Sequence, residues 1–133
     1  MIKTKEYVYL LRSTTNPRRV YIGYTNTHPF TRLLKHNGIK NGGARKTRKY
    51  RPWEVVFFVS GFPSSRIALQ MEFVSQHPPK KLRKRGGGIK SKMRIMKSLL
   101  NQEKICSTAI PNKNLKLILF FMKQEYYDLW CSI

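Results

Sequence analysis

Apolar and polar residues alternate in two short runs near the start of the chain. The first run is Tyr7-Val8-Tyr9-Leu10-Leu11 and the second is Val20-Tyr21-Ile22-Gly23-Tyr24, with a polar loop between them that turns at Asn16-Pro17. Alternating runs separated by a turn are typical of a β-hairpin. A third run, Trp53–Ser60, is almost continuously apolar, which predicts a strand buried on both faces.

Helical spacing governs the segments between and after these strands. Residues 30–38 predict a short helix that ends at Gly38 and carries Arg32 and His36 on one face. Residues 65–76 predict a second helix. Its expected buried side consists of Ile67, Leu69, Met71, Phe73 and Val74. The further predicted elements are a glycine-rich basic loop over 37–52, a flexible basic loop over 80–88, a basic amphipathic helix over 89–100, a strand over 115–121 and a short helix over 124–130.

These elements predict an α/β fold of the α+β kind. The sheet is expected to be antiparallel and three-stranded, from residues 6–12, 19–24 and 54–60, with helices flanking it. We divide the chain into a first domain over residues 1–83 and a C-terminal extension over 84–133, in which a basic helix, a strand and a terminal helix pack on that domain. A chain of 133 residues can bury a core of this kind.

Positive charge dominates the composition. The chain has 27 Lys and Arg against 6 Asp and Glu, for a net charge of +21, which favours a polyanionic partner. The basic residues fall in loops and on helix faces, so nucleic acid is favoured over anionic lipid. The longest apolar run, 117–122, is too short to span a membrane. The residues expected to contact DNA phosphates are Arg45, Lys46, Arg48, Lys49, Arg51, Lys80, Lys81, Arg83, Lys84, Arg85, Lys90, Lys92, Arg94 and Lys97.

The shortage of carboxylates excludes several kinds of active site. Glu6, Glu54 and Glu72 are the acidic residues before position 103, whereas a two-metal nuclease needs several carboxylates to hold both cations. The chain has no phosphate-binding P-loop motif and no Cys/His set with zinc-ligand spacing. Its two cysteines predict neither a metal site nor a structural disulfide. Metal chemistry here would therefore use one cation with very few protein ligands.

Ordinary structural roles compete with chemistry for every candidate residue when it is taken alone. Glu72 lies in an apolar helical segment, and an acid there is most often a solvated surface residue. Arg32 would ordinarily lie at the surface or contact a phosphate, and a lone histidine such as His36 is more often structural than catalytic. Tyrosines in strands more often pack than react.

Together, however, these residues resemble the GIY-YIG nuclease superfamily. Tyr7-Val8-Tyr9 and Tyr21-Ile22-Gly23 correspond to its two signature triplets, with Tyr7 where the family has glycine. The spacing to Arg32 and on to Glu72 also fits. A closer likeness is to the Slx branch, the catalytic subunits of eukaryotic structure-selective endonucleases. It is carried by residues 32–38, 42–47, 52–54, 61–65, 72–73 and 76–78, together with the aromatic Tyr24.

The resemblance implies one pocket that contains Tyr9, Tyr21, Arg32, His36 and Glu72. Glu72 would be the sole protein ligand of a Mg²⁺ or Mn²⁺ ion, both of which accept oxygen ligands. Arg32 would hold a phosphate oxygen, and Tyr9, Tyr21 or His36 would be the general base. The implied activity is that of a metal-dependent, structure-selective endonuclease. It would hydrolyse phosphodiester bonds in flaps, forks and four-way (Holliday) junctions during DNA repair or recombination, leaving 5′-phosphate and 3′-hydroxyl ends.

A tyrosine base needs activation, because the ordinary pKa of a phenol is about 10. We expect the positive charge of Arg32 and of a metal to lower the pKa of Tyr9 or Tyr21. The dense positive charge of the chain would then serve chemistry as well as binding.

Partners and location follow from the same resemblance. Slx subunits carry a C-terminal zinc-binding RING domain that docks a scaffold protein, and two cysteines cannot form one here. The expected partners are branched or flapped DNA, with a scaffold protein or a second copy as a further partner. The alternative function is a non-catalytic nucleic-acid-binding module on a GIY-YIG fold. With no apparent secretory leader, we expect an intracellular location: the nucleus for a cellular eukaryotic protein, or a viral factory or the cytoplasm for a viral one.

Overall fold

The computed structural model describes residues 5–83 and 86–133. Short 3₁₀ turns interrupt the two basic loops that the sequence predicts, at Arg45–Thr47 and Lys80–Leu82. The strands and helices in chain order are β1 (Tyr7–Ser13), β2 (Val20–Thr25), α1 (Pro29–His36), β3 (Trp53–Ser60), α2 (Ser65–Gln76), α3 (Gly88–Asn101), β4 (Ile118–Phe121) and α4 (Gln124–Ser132).

The sheet is antiparallel throughout, with strand order β2-β1-β3-β4. The predicted hairpin is confirmed, and the predicted α+β class is confirmed. The predicted number of three strands is wrong, because β4 pairs with β3 and places Phe121 opposite Phe57. Since β3 is apolar on both faces and lies beside β1, a fourth strand satisfies its remaining backbone groups and removes it from the edge.

Two layers of side chains cover the sheet. On one face, Val8, Leu10 and Phe57 pack with Met71 of α2 and Met93 of α3 in the main core. The other face carries a smaller cluster of Tyr9, Leu11, Trp53, Val55 and Phe58, against which Leu33 of α1 packs. Residues after position 83 thus contribute to the main core, and the division of the chain after residue 83 stays a prediction.

The buried side of α2 differs from the predicted one. Ile67 and Met71 are buried, but Leu69 is 43% exposed and Phe73 is 60% exposed. The helical period explains the difference, because residues 67 and 71 lie on one face while 69 and 73 rotate to the opposite side. Predicting every apolar residue of this helix as buried was therefore wrong for Leu69 and Phe73.

A polar cluster attaches α4 to the sheet. The buried Tyr126 hydroxyl donates to Glu54 Oε1, and Arg12 Nη2 donates to the same oxygen at 2.8 Å. Burial alone would raise the pKa of Glu54, but the hydrogen bonds from Tyr126 and Arg12 outweigh it and hold that pKa below its usual value. Glu54 therefore stays ionised and joins β1, β3 and α4 at one point.

Candidate active site

Tyr9 reaches over its neighbouring strand because Gly23 has no side chain. The two residues face each other in the β1–β2 register. A Cβ atom on residue 23 would lie 2.3 Å from Tyr9 Oη and 2.4 Å from Tyr9 Cζ, far inside the 3.4 Å at which ordinary contact begins. The glycine therefore allows the phenol to cross β2, which is an outer strand of the sheet.

The Tyr9 hydroxyl begins a chain of three hydrogen bonds. It lies 2.8 Å from Nε2 of the fully buried His36, whose Nδ1 lies 2.8 Å from Thr47 Oγ1. The Thr47 hydroxyl donates its single proton to Ala44 O at 2.8 Å, so it accepts from His36 Nδ1–H. A neutral His36 with its proton on Nδ1 must accept at Nε2, and Tyr9 is therefore the donor to His36.

The pKa values of the residues in this hydrogen-bond chain agree with that assignment. Burial first, and then the charges of Arg32 and Arg51, lower the pKa of His36 to about 4, so the ring is neutral at pH 7. Burial raises the pKa of Tyr9 to about 12, although Arg32 acts in the other direction. Burial also raises the pKa of Tyr21. Arg32 lowers the pKa of both phenols, as the sequence predicts, but burial outweighs it and the net shift is upward.

Glu72 approaches the same place from α2. Its carboxylate is half-buried and accepts a hydrogen bond from the backbone N–H of Tyr24, and burial raises its pKa. Its charge also raises the pKa values of Tyr9 and Tyr21, which places it near both phenols. Within residues 5–83 and 86–133, no three His, Cys, Asp or Glu side chains are grouped to hold a metal. A lone carboxylate fits an oxygen-preferring cation whose remaining ligands are water and substrate oxygens.

Arg32 enters from α1 beside Tyr9, and both its charge and a hydrogen bond lower the pKa of that phenol. Its Nη1 donates to Gly42 O at 3.2 Å, while its buried Nε has no hydrogen-bond partner among the described residues. Arg32 and His36 share a face of α1, as the sequence predicts, so this short helix supplies both. A buried guanidinium N–H without an acceptor is costly, and an anionic oxygen would satisfy it.

The five residues predicted for the site are thus brought together at β2, whereas their roles stay predictions. Two further residues of the site were missed, Gly23 and Thr47. In the sequence, Gly23 was noted only as part of a signature triplet. Its packing against Tyr9 explains why this position requires glycine. Thr47 lies in a basic loop without periodicity, and nothing in the sequence connects it to His36.

The residues predicted to contact DNA fall into several groups. Four of them donate hydrogen bonds to backbone carbonyls. Arg51 Nε donates to His36 O at 2.7 Å, and Lys97 Nζ donates to two carbonyl oxygens at the end of the chain at 2.8 and 2.9 Å. Arg83 Nε donates to Pro78 O at 2.9 Å, and Lys92 Nζ donates to Ser75 O at 3.3 Å. Lys84 and Arg85 lie outside the described residues. The exposed ones are Arg45, Lys46, Arg48, Lys49, Lys80, Lys81, Arg83, Lys90 and Arg94. Their contacts with DNA stay predictions.

Known proteins resemble this chain over most of its length. The GIY-YIG catalytic domain family matches residues 5–86. A structure-specific endonuclease subunit SLX1 of Debaryomyces hansenii is 40% identical over 138 aligned residues, which cover 93% of this chain and 38% of the relative. The corresponding SLX1 subunit of Candida dubliniensis is 38% identical over 129 residues, covering 92% of this chain and 44% of the relative.

A third match covers a shorter part of the chain. A structure-specific endonuclease subunit SLX1 homolog of Giardia intestinalis is 43% identical over 72 residues, or 54% of this chain and 20% of the relative. This chain therefore spans less than half the length of these curated relatives. In the part of the chain that the structure describes, no helix has the length and apolar composition needed to cross a membrane.

Proposed function

The chain belongs to the GIY-YIG nuclease family, and from that membership we propose that it is a metal-dependent endonuclease that cuts branched DNA selectively. The observation that supports this proposal is the convergence of Tyr9, Tyr21, Arg32, His36 and Glu72 at β2. Relatives with the printed name of structure-specific endonuclease subunit support the selectivity for DNA structure.

The proposed proton path runs from water through Tyr9 to His36. As the attacking water gives its proton to Tyr9 Oη, Tyr9 passes its own proton to His36 Nε2. This shift leaves no phenolate, which a pKa of about 12 would disfavour. His36 is neutral, so its Nε2 has a lone pair for the proton, and its Nδ1–H stays on Thr47. A pKa of about 4 makes the ring a weak base, and the negative charge of a bound phosphate would raise that pKa. Tyr9 with His36 behind it is thus our choice among the three candidate bases.

The phosphate would be held from two sides. Arg32 would donate its free Nε–H to a non-bridging oxygen, which supplies the acceptor that Nε lacks among the described residues. A Mg²⁺ or Mn²⁺ ion held by Glu72 would supply Lewis-acid stabilisation of the charge that develops on the phosphate and leaving oxygens. The products would carry 5′-phosphate and 3′-hydroxyl ends.

The biological setting belongs to the same proposal. The substrates are flaps, forks and four-way junctions that arise in DNA repair or recombination. A scaffold protein or a second copy of the chain is the proposed protein partner, since the relatives are named as subunits. An intracellular location, in the nucleus or a viral factory, is proposed from the substrate.

The test is a cleavage assay on matched plain duplex, 5′-flap, fork and four-way-junction DNA with Mg²⁺ or Mn²⁺. Wild type should cut the branched substrates in preference to the duplex. Glu72→Gln and Arg32→Ala should abolish cutting, whereas Glu103→Gln, the same change at an exposed acid, should keep wild-type rates. Because burial raises the pKa of Glu72, removing its charge should not lower thermal stability. Lost activity in a stable Glu72→Gln variant therefore reports chemistry.

Each contrary outcome has a definite meaning. DNA binding without cutting of any substrate, also with a scaffold protein added, would support the non-catalytic binding module instead. Equal cutting of duplex and branched DNA would contradict selectivity for structure. A Glu72→Gln variant as active as wild type would remove Glu72 from the reaction.

A further inference from the structure

A cation-lined cleft lies beside the candidate active site. Its volume is about 540 Å³, and its walls are the β1–β2 loop, the end of α2 and the start of α3. Arg18, Arg19, Arg83 and Lys92 line it, and no carboxylate of the residues that the structure describes does. The loop and the helix meet closely, since a Cβ on Gly87 would lie 3.6 Å from Arg18 O. Arg18 is not among the residues that the sequence predicts to contact DNA.

Two cations of the cleft are positioned by carbonyl groups, and none of its cations has a counter-charge among the described residues. Arg83 Nε donates to Pro78 O at 2.9 Å, and Lys92 Nζ donates to Ser75 O at 3.3 Å. Over residues 5–83 and 86–133, the ion pairs use only Arg12 and Lys123 as cations. Burial, and then the charge of Lys46, lower the pKa of Lys92, as expected for an uncompensated cation. An anion in the cleft would find several fixed donors and no competing acid.

The cleft continues the active site along the outer edge of β2. Glu72 of α2 contacts the backbone N–H of Tyr24, and one helical turn further Gln76 Nε2 donates to Ile22 O at 2.6 Å. Two residues further along β2, Val20 lines the cleft together with Gln76. At about 3.3 Å per residue, the path from Tyr24 to Val20 is about 13 Å long. A DNA strand that lies along β2 covers this length in a few nucleotides, so both phosphate sites can be occupied by one strand.

We propose that this cleft binds one backbone phosphate of the DNA strand that is cut, a few nucleotides from the scissile phosphate. Arg18, Arg83 and Lys92 hold the phosphate oxygens, and the strand lies along β2 between the two phosphate sites. The inference rests on the proposed function, because that function defines the scissile phosphate. Contacts with phosphate fix position without reading sequence, so the cleft would set where the cut falls relative to a branch.

The test compares binding by two variants with equal loss of charge. Arg18→Ala with Lys92→Met removes two cleft cations and keeps the aliphatic stem of residue 92. Lys113→Ala with Lys116→Met removes two exposed cations elsewhere. Affinity for 5′-flap DNA is measured by fluorescence anisotropy in EDTA over a series of salt concentrations, with thermal unfolding as the check on folding. The plot of log affinity against log salt should become less steep by about one unit in the cleft variant only.

The decisive measurement places an uncharged methylphosphonate at one linkage at a time along the cut strand. Wild type should lose affinity at a single position a few nucleotides from the cut, on one side. That loss should disappear in the cleft variant and persist in the control variant. A flat scan in wild type, or the same positional loss in the cleft variant, would overturn the proposal.

The outcome is independent of catalysis, because EDTA prevents metal-dependent cutting. If wild type cuts no DNA but the scan still finds one position, fixed relative to the branch and lost in the cleft variant, the endonuclease proposal fails and the phosphate cleft stands. If wild type cuts flaps but the scan is flat, the cleft fails and the endonuclease proposal stands.

Discussion

Replacing Gly23 with alanine would place a methyl group where the Tyr9 ring now lies. The added Cβ would be 2.3 Å from Tyr9 Oη and 2.8 Å from the nearest ring Cε. Ordinary contact begins at 3.4 Å, so the ring must withdraw by about 1 Å. Tyr9 is only 1% exposed, and its withdrawal therefore disturbs the cluster beneath α1.

The displacement carries two costs. Overpacking of a filled core costs about 1–3 kcal/mol. A hydroxyl that moves about 1 Å away from His36 Nε2 also loses its hydrogen bond of 2.8 Å, which costs about 1 kcal/mol. We expect Gly23→Ala to lower the free energy of unfolding by about 3 kcal/mol. A misplacement of this size should slow cleavage about 100-fold.

Urea denaturation and cleavage of flap DNA measure the two effects. Gly87→Ala is the matched control for stability, because its nearest neighbouring atom would be at 3.6 Å and its backbone φ of −120° suits alanine. Tyr9→Phe separates the two costs, since it removes the hydroxyl and adds no methyl group. A Gly23→Ala protein with wild-type stability and wild-type cleavage would refute the packing that we describe around Tyr9.

Three more predictions concern charge and hydrogen bonding. The pKa of His36 falls from 6.5 to about 4 on folding, so between these values the unfolded chain binds a proton that the folded chain does not, and stability decreases as pH falls. The free energy of unfolding should fall by about 3 kcal/mol between pH 7.5 and 4.5, as measured by denaturation at both values. The decrease should be smaller in His36→Gln. Thr47→Val removes the acceptor that fixes the His36 tautomer, so cleavage should decrease while DNA affinity is kept; unchanged cleavage would contradict the hydrogen-bond chain. Tyr126→Phe should lower the free energy of unfolding by about 2 kcal/mol because the ionised Glu54 loses a donor, and a change near zero would show that this contact does not hold α4.

Local sequence patterns predicted most elements of the fold, whereas a pairing between strands far apart in sequence was missed. The hairpin, β3 and the helices each carry their own periodicity and turn residues, so each could be read from a short window. The pairing of β4 with β3 joins residues such as Phe57 and Phe121 that are far apart in sequence, and no local pattern specifies it. The net upward shift of the Tyr9 pKa was missed for a similar reason, because its direction depends on how deeply the fold buries the ring.

The contacts of α2 with the outer edge of β2 affect association between chains. An outer strand exposes unpaired N–H and C=O groups, to which a strand of another molecule can add. Here Glu72 and Gln76 occupy the Tyr24 N–H and the Ile22 carbonyl, so α2 takes the place of a fifth strand. The acid proposed to bind the metal is therefore also part of a barrier against β-sheet aggregation. Selection on residue 72 would act through solubility as well as through catalysis, and glutamine could preserve the first while losing the second.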